Sequence, residues 1–223
     1  MASKLIGIVG ATGTGKSTAI KFLDPKETYI INVAKKELPF KGSEALYNKE
    51  NRNYKEVDDA NEITRLLRTL SNDAPHIKNI VIEDSNYMMA FRMADKAAEG
   101  GYTKFSIMAK DMIDMLRGVR KLRDDLKIFY FTHPETIEDG GEIVGYKMKT
   151  SGKMLDNQFN LEGLFAICLY TYVEENRDGS MSYHFLTNRY KKYPAKSPDG
   201  MFEEVKIPNN LQLVVDKINE YYQ

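Results

Sequence analysis

An apolar run, Leu5-Ile6-Gly7-Ile8-Val9, breaks directly into Gly10-Ala11-Thr12-Gly13-Thr14-Gly15-Lys16-Ser17-Thr18. No other stretch limits the fold of this chain so tightly. The second segment fits G-x-x-x-x-G-K-[ST], a pattern with mechanical meaning where a buried strand precedes it and a helix follows. Both flanks are in place, and the spacing predicts a helix over Lys16–Leu23 that ends before Asp24-Pro25. Glycine reaches positive φ without steric cost, so the loop can turn tightly and aim successive N–H groups inward. The helix start adds its unpaired N–H groups and positive dipole end. The expected ligand is ATP, held by Gly10, Ala11, Thr12, Gly13, Thr14, Gly15, Lys16, Ser17 and Thr18. Lys16 is expected to reach the β- and γ-phosphates and the Ser17 hydroxyl to ligate Mg²⁺.

Strand and helix signals then alternate, which predicts an α/β fold with a mostly parallel sheet. Lys4–Val9, Thr28–Val33, Asn79–Glu83 and Leu126–Thr132 read as strands. Asp58–Leu70 carries Ile63, Leu66, Leu67 and Leu70 at helical spacing, and Ala90–Asp125 reads as helix broken at Gly100-Gly101. Two segments lack periodicity and read as surface excursions: Lys35–Glu56, and His133–Asn160 with its glycines. Leu164–Glu174 and Ser182–Asn188 flank Asn176-Arg177-Asp178-Gly179 as a hairpin, and Leu211–Tyr221 closes the chain as an amphipathic helix. At 223 residues, one sizeable core in a single domain is expected over 1–223.

A P-loop site next requires a carboxylate at the tip of a neighbouring strand, because Mg²⁺ prefers hard oxygen ligands. Asp84, after Ile80-Val81-Ile82-Glu83, fits that metal role, and a regular strand would turn Glu83 to the opposite side. Thr132 and His133 end the next apolar strand at the same sheet edge, where ligands of open α/β sheets bind. His133 is therefore a candidate contact for the γ-phosphate. For the group that orients the attacking water, Glu37 and Glu83 remain equal candidates. Between Thr187 and Ser197, the cations Arg189, Lys191, Lys192 and Lys196 follow the hairpin. Such cations can complete a neighbour's nucleotide site, and the interleaved Tyr190 and Tyr193 also suit stacking against single-stranded bases.

Composition removes several classes. Lys+Arg and Asp+Glu balance at 32 each, which argues against a constitutive, strongly basic nucleic-acid binder. One cysteine, Cys168, excludes an internal disulfide and a Cys-rich zinc site, and its apolar neighbours predict a buried small hydrophobe. With no apolar run approaching the ~18 residues of a membrane span and no signal-peptide pattern, no membrane association and a cytoplasmic location are expected.

The P-loop strand, the strand ending Ile82-Glu83-Asp84-Ser85, the strand ending Phe131-Thr132-His133-Pro134-Glu135, a glycine-containing loop, and a hairpin leading into Pro194-Ala195-Lys196-Ser197-Pro198-Asp199-Gly200-Met201-Phe202 form an ordered set. Together they resemble the RecA-like AAA ATPases encoded by bacteriophages, a family associated with single-strand DNA annealing and recombination. The resemblance covers most of residues 4–205. It implies a RecA-like core in which the fourth predicted strand lies between the P-loop strand and the strand ending in Asp84. It also implies that His133 is a polar sensor opening a mobile loop, that Lys196 acts on a neighbouring subunit, and that the protein is a homo-oligomer, ring or filament, acting on single-stranded DNA in the bacterial host. Two other functions fit the P-loop. One is a small-molecule or nucleoside kinase, with Arg117, Arg120 and Arg123 as its lid; the other is a slow ATP-dependent switch or scaffold.

Overall fold

The computed structural model describes residues 2–98, 103–150 and 160–223. Strands form where apolar side chains run on both faces of the chain. In β1 (Lys4–Val9), β4 (Asn79–Glu83) and β5 (Lys127–Thr132) the apolar residues divide by parity. Ile6, Ile8, Val81, Phe129 and Phe131 enter one core layer, whereas Val9, Ile80, Ile82, Ile128 and Tyr130 enter the other. This is the pattern of parallel strands covered by helices on both sides.

The remaining strands are β2 (Thr28–Asn32), β3 (Tyr54–Glu56), β6 (Pro134–Asp139), β7 (Glu142–Met148), β8 (Ile167–Glu175), β9 (Met181–Leu186) and β10 (Lys206–Pro208). Eight of the ten form one mixed sheet in the order β10-β9-β8-β1-β5-β4-β2-β3, parallel from β3 through β8 and antiparallel across β8, β9 and β10. The α/β class and the mostly parallel sheet match the expectation, as do the β8–β9 hairpin and the position of β5 between β1 and β4. β6 and β7 pair separately as an antiparallel hairpin. Register sets Val9 opposite Thr132 and Ile82 opposite Tyr130. The residues that follow β1, β4 and β5 therefore leave the sheet along one edge.

Helices Ala60–Asp73, Tyr87–Asp95 and Thr103–Gly118 cover one face, burying Ile63, Leu67, Met88, Met112 and Leu116. The first starts where Asp59 accepts the Glu62 N–H at 2.9 Å, a cap that stabilises a helix by about 1 kcal/mol. The short helix Ser17–Phe22 and the last helix, Leu211–Tyr222, cover the other face through Ala19, Ile20, Leu211, Val214 and Ile218. Among the described residues no helix is long and apolar enough to cross a membrane.

Three expectations change. The segment after the P-loop is a six-residue 3₁₀ helix, not an α-helix over Lys16–Leu23. Pro25 stops helical growth two residues past Leu23, and 3₁₀ geometry suits such short pieces. The excursion after Lys35 contains helix Ser43–Leu46 and the edge strand β3, tied down by Asn53, whose amide bonds the Pro25 and Leu46 carbonyls at 3.0 and 2.9 Å. Most of the stretch read as a loop after His133 is the β6–β7 hairpin. Its turn residues Gly140 and Gly141 have φ of +59° and +85°, the left-handed pair that two-residue hairpin turns require. The predicted helix break at Gly100-Gly101 and the loop glycine Gly152 lie outside the described residues.

Candidate functional site

β1 ends in a loop held by one bond to the neighbouring strand and one within the loop. The Gly10 N–H donates to the Thr132 carbonyl at 3.0 Å, and the Thr14 hydroxyl donates to the Ala11 carbonyl at 2.7 Å. Gly13 and Gly15 adopt φ of +80° and +83°. Their N–H groups have no acceptor among the described residues. Gly10 is needed for a different reason: a Cβ there would lie 2.4 Å from Thr171 Oγ1, which itself bonds the Thr14 hydroxyl at 2.6 Å. Gly10→Ala should therefore overpack this contact and destabilise the fold by about 1–3 kcal/mol. An unchanged urea midpoint for that variant would remove the steric argument.

The loop delivers Lys16, only 4% exposed, onto two carboxylates at the tip of β4. Lys16 Nζ lies 2.9 Å from Asp84 Oδ1 and 3.4 Å from Glu83 Oε1. The Ser17 hydroxyl donates to Glu83 Oε1. A regular strand would have sent Glu83 and Asp84 to opposite sides. Asp84 instead takes the left-handed conformation, φ +53°, which breaks the alternation so that both acids meet the same lysine. The spacing suggested Ser17 and Asp84 as the two magnesium ligands; the acid in direct contact with Ser17 is Glu83.

Asp84 is fully buried and gathers three cationic or protonatable groups. Besides Lys16, Lys36 Nζ pairs with its Oδ2, and His133 Nε2 lies 3.5 Å from Oδ1. Burial by itself raises the Asp84 carboxyl, but the bond from His133 and the charges and bonds of Lys16 and Lys36 outweigh it. The group is held well below the usual carboxylate range. Lys36 is brought there by a turn that the buried Asn32 pins, accepting the Lys35 N–H at 3.0 Å and donating to the Lys36 carbonyl at 2.5 Å. His133 stands between Asp84 and the edge of the Tyr87 ring, 6.3 Å away between centroids.

Lys16, Ser17, Lys36, Asp84 and His133 border a cleft of about 690 Å³ that runs along the P-loop to Tyr183 and Asn209, with buried Glu83 behind Ser17. The cleft combines free amides and three lysines, Lys16, Lys21 and Lys36, with oxygen ligands. Buried Glu83 Oε2 and Thr132 Oγ1 have no hydrogen-bond partner. Hard oxygens beside a row of amide donors suit a magnesium-bound oligophosphate. Among the described residues no group of three or more His, Cys, Asp or Glu side chains is arranged to hold a metal by itself. The six-residue 3₁₀ helix weakens the dipole contribution expected from sequence, which leaves the loop amides and Lys16 as the groups able to attract an anion here.

Other sequence candidates lie elsewhere. Glu37 is exposed and lines a neighbouring cleft with Tyr47 and Tyr54. The Lys196 main chain exchanges two hydrogen bonds with that of Cys168, at 2.8 and 2.9 Å, and its side chain does not line the P-loop cleft of its own chain. Cys168 is buried as expected, and burial pushes its thiol up. Arg123 is spent on structure: its guanidinium bonds the Leu70, Ser71 and Ala74 carbonyls at 3.0–3.1 Å. Neither it nor Arg117 or Arg120 borders the cleft, which leaves the kinase reading without its lid. Sequence reasoning missed Lys36, Tyr183 and Asn209. Lys36 had a readable signal, a cation four residues past the end of a buried strand on the ligand-binding edge; the other two come close only through the sheet order. No protein-family model matches this chain, and no curated protein matches it in sequence.

Proposed function

We propose that this protein binds and hydrolyses ATP in the P-loop cleft and couples the nucleotide to single-stranded DNA as a homo-oligomer of RecA-like subunits. The convergence of Lys16 and Ser17 on Glu83 and Asp84, joining segments 68 residues apart in sequence, carries the reading. The RecA-like assignment is supported by β5 lying between β1 and β4, as the resemblance implies. Lys16 and Lys36 are the cations for the β- and γ-phosphates. Ser17 and Glu83 would hold magnesium, which when bound offsets phosphate charge; the metal role that spacing suggested for Asp84 passes to Glu83, and Asp84 instead orients Lys16, Lys36 and His133. In the reaction, water attacks the γ-phosphorus in line, a P–O bond forms as the bond to the bridging oxygen breaks, and ADP departs with the electron pair. Such transition states are loose, so positioning and charge stabilisation dominate. Glu83 Oε2, which lacks a partner, accepts a hydrogen bond from the water and orients it.

The DNA part is supported by a continuous path from the cleft. His133 contacts Asp84, its carbonyl accepts the Lys149 N–H at 2.8 Å, and β6 begins at the next residue. The β6–β7 hairpin then docks on the Tyr190–Tyr193 turn: the Tyr146 N–H bonds the Lys192 carbonyl at 3.1 Å, and Tyr146 stacks on Tyr193 at 4.6 Å. Exposed Arg189, Lys191 and Lys192 beside Tyr172 and Tyr190 suit phosphates and stacked bases. Lys196, remote from its own cleft, is assigned to the cleft of a neighbouring copy.

Calorimetry with Mg·ATP, followed by phosphate release with and without single-stranded DNA over a protein dilution series, tests the proposal. Binding, stimulation by DNA and a per-chain rate that falls on dilution are expected. ADP formation that requires a small-molecule acceptor would identify a kinase instead, and binding without turnover a switch. Absence of binding removes the proposal altogether.

A further inference from the structure

The cleft has a second wall that phosphate chemistry does not use. Glu83, Asp84 and His133 come from β4 and the end of β5, on one side of β1. On the other side, beyond β8, Tyr183 of β9 and Asn209 after β10 close against the P-loop. The position of a Gly15 Cβ lies 3.0 Å from Tyr183 Cδ1 and 3.2 Å from Asn209 Nδ2, and Pro208 extends the wall. Tyr183 is 44% exposed although the main chain around it is fixed by the bond from the Asn209 N–H to its carbonyl, 3.1 Å. Asn209 Nδ2 is buried and has no hydrogen-bond partner. An exposed aromatic ring beside a buried donor without an acceptor calls for a flat ligand with a polar edge.

Charge fixes which part of a nucleotide reaches that wall. The most highly charged end of a triphosphate belongs with Lys16, Lys36 and His133, so the uncharged end extends past Gly15 toward Tyr183 and Asn209. We infer that Tyr183 and Asn209 form a nucleobase subsite selective for adenine: the Tyr183 ring stacks on the base, and the Asn209 amide bonds its edge. An Asn amide offers one donor and one acceptor, which match adenine N7 and the N6 amino group; guanine presents two acceptors there, N7 and O6, and leaves the Asn209 oxygen facing another oxygen. This inference rests on the reading of the cleft as a nucleotide site and adds the base specificity to it.

Titration calorimetry of the full chain with Mg·ATP, Mg·GTP and magnesium tripolyphosphate separates the two. Tripolyphosphate reads the phosphate cradle alone. Tyr183→Ala is expected to weaken Mg·ATP about 10–100-fold while tripolyphosphate binding stays within about twofold, and Tyr183→Phe should bind ATP as the parent does. Asn209→Ala is expected to erase a preference for ATP over GTP. Tripolyphosphate binding as tight as ATP in the parent protein, or ATP affinity unmoved by Tyr183→Ala, overturns this subsite and leaves the cradle standing. Equal losses of ATP and tripolyphosphate in both variants overturn it as well, because the wall would then act through the loop. Failure of the parent to bind any of the three overturns the cleft itself and the subsite with it.

Discussion

Lys16→Ala should lower phosphate release at saturating Mg·ATP by at least ~100-fold, the scale for removing one preorganised charge-stabilising group. The structure adds a second effect that an exposed loop lysine would not have. Lys16 is buried against Asp84 and Glu83, so its loss leaves a cation missing between two buried carboxylates. Breaking a buried ion pair commonly costs about 3–5 kcal/mol. Asp84 keeps Lys36 and His133, and the loss should therefore be smaller, about 2 kcal/mol, or a fall in Tm of ~4–8 °C. Lys16→Arg separates the two roles. The guanidinium can still pair with Asp84 and restore most of the Tm, whereas its wider head should not restore turnover. Phosphate release at the parent rate from Lys16→Ala would remove the lysine from the mechanism.

Which parts of the fold were readable follows from how local their causes are. Ile80-Val81-Ile82 and Ile128-Phe129-Tyr130-Phe131 are apolar on both faces, so their burial in a parallel sheet needs no knowledge of neighbours. The P-loop is equally local, since its glycines, lysine and serine act within nine residues. The β6–β7 hairpin was also encoded locally, in Asp139-Gly140-Gly141-Glu142, but its strands are largely exposed and rich in charged residues and imitate a loop. That Glu83 and not Asp84 touches Ser17 was not legible. Strand alternation predicts opposite directions for adjacent side chains, and a left-handed residue at the strand end cancels that rule. Tyr183 and Asn209 were hidden for a topological reason. They border the P-loop because β8, β9 and β10 add successively to the β1 edge of the sheet, an order that no short window of sequence carries.

Glu83→Gln gives the sharpest contrast with the lysine variants, because it should leave ATP bound but unreacted. Glu83 is fully buried, with one oxygen accepting the Ser17 hydroxyl and the other without a partner. Glutamine preserves the volume but turns one of those two acceptors into a donor. If the amide takes the place of the unpartnered oxygen, it repels the proton of the water that Glu83 is proposed to orient; if it faces Ser17, two donors meet and the serine loses its anchor. Either arrangement removes a negative charge next to the magnesium position, whereas Lys16, Lys36 and the loop amides still hold the phosphates. The expected result is an affinity for Mg·ATP within about threefold of the parent and a kcat at least ~100-fold lower, the range for a positioned proton acceptor. The magnesium concentration for half-maximal rate should rise if Ser17 and Glu83 share the metal as proposed. Asp84→Asn should behave differently: it keeps an acceptor for Ser17's neighbour Lys16 but releases the cations that Asp84 gathers, and so weakens nucleotide binding as well as turnover. A parent-like kcat in Glu83→Gln, together with an inactive Glu37→Gln, would transfer the water-orienting role to Glu37 and reduce Glu83 to a structural partner of Ser17.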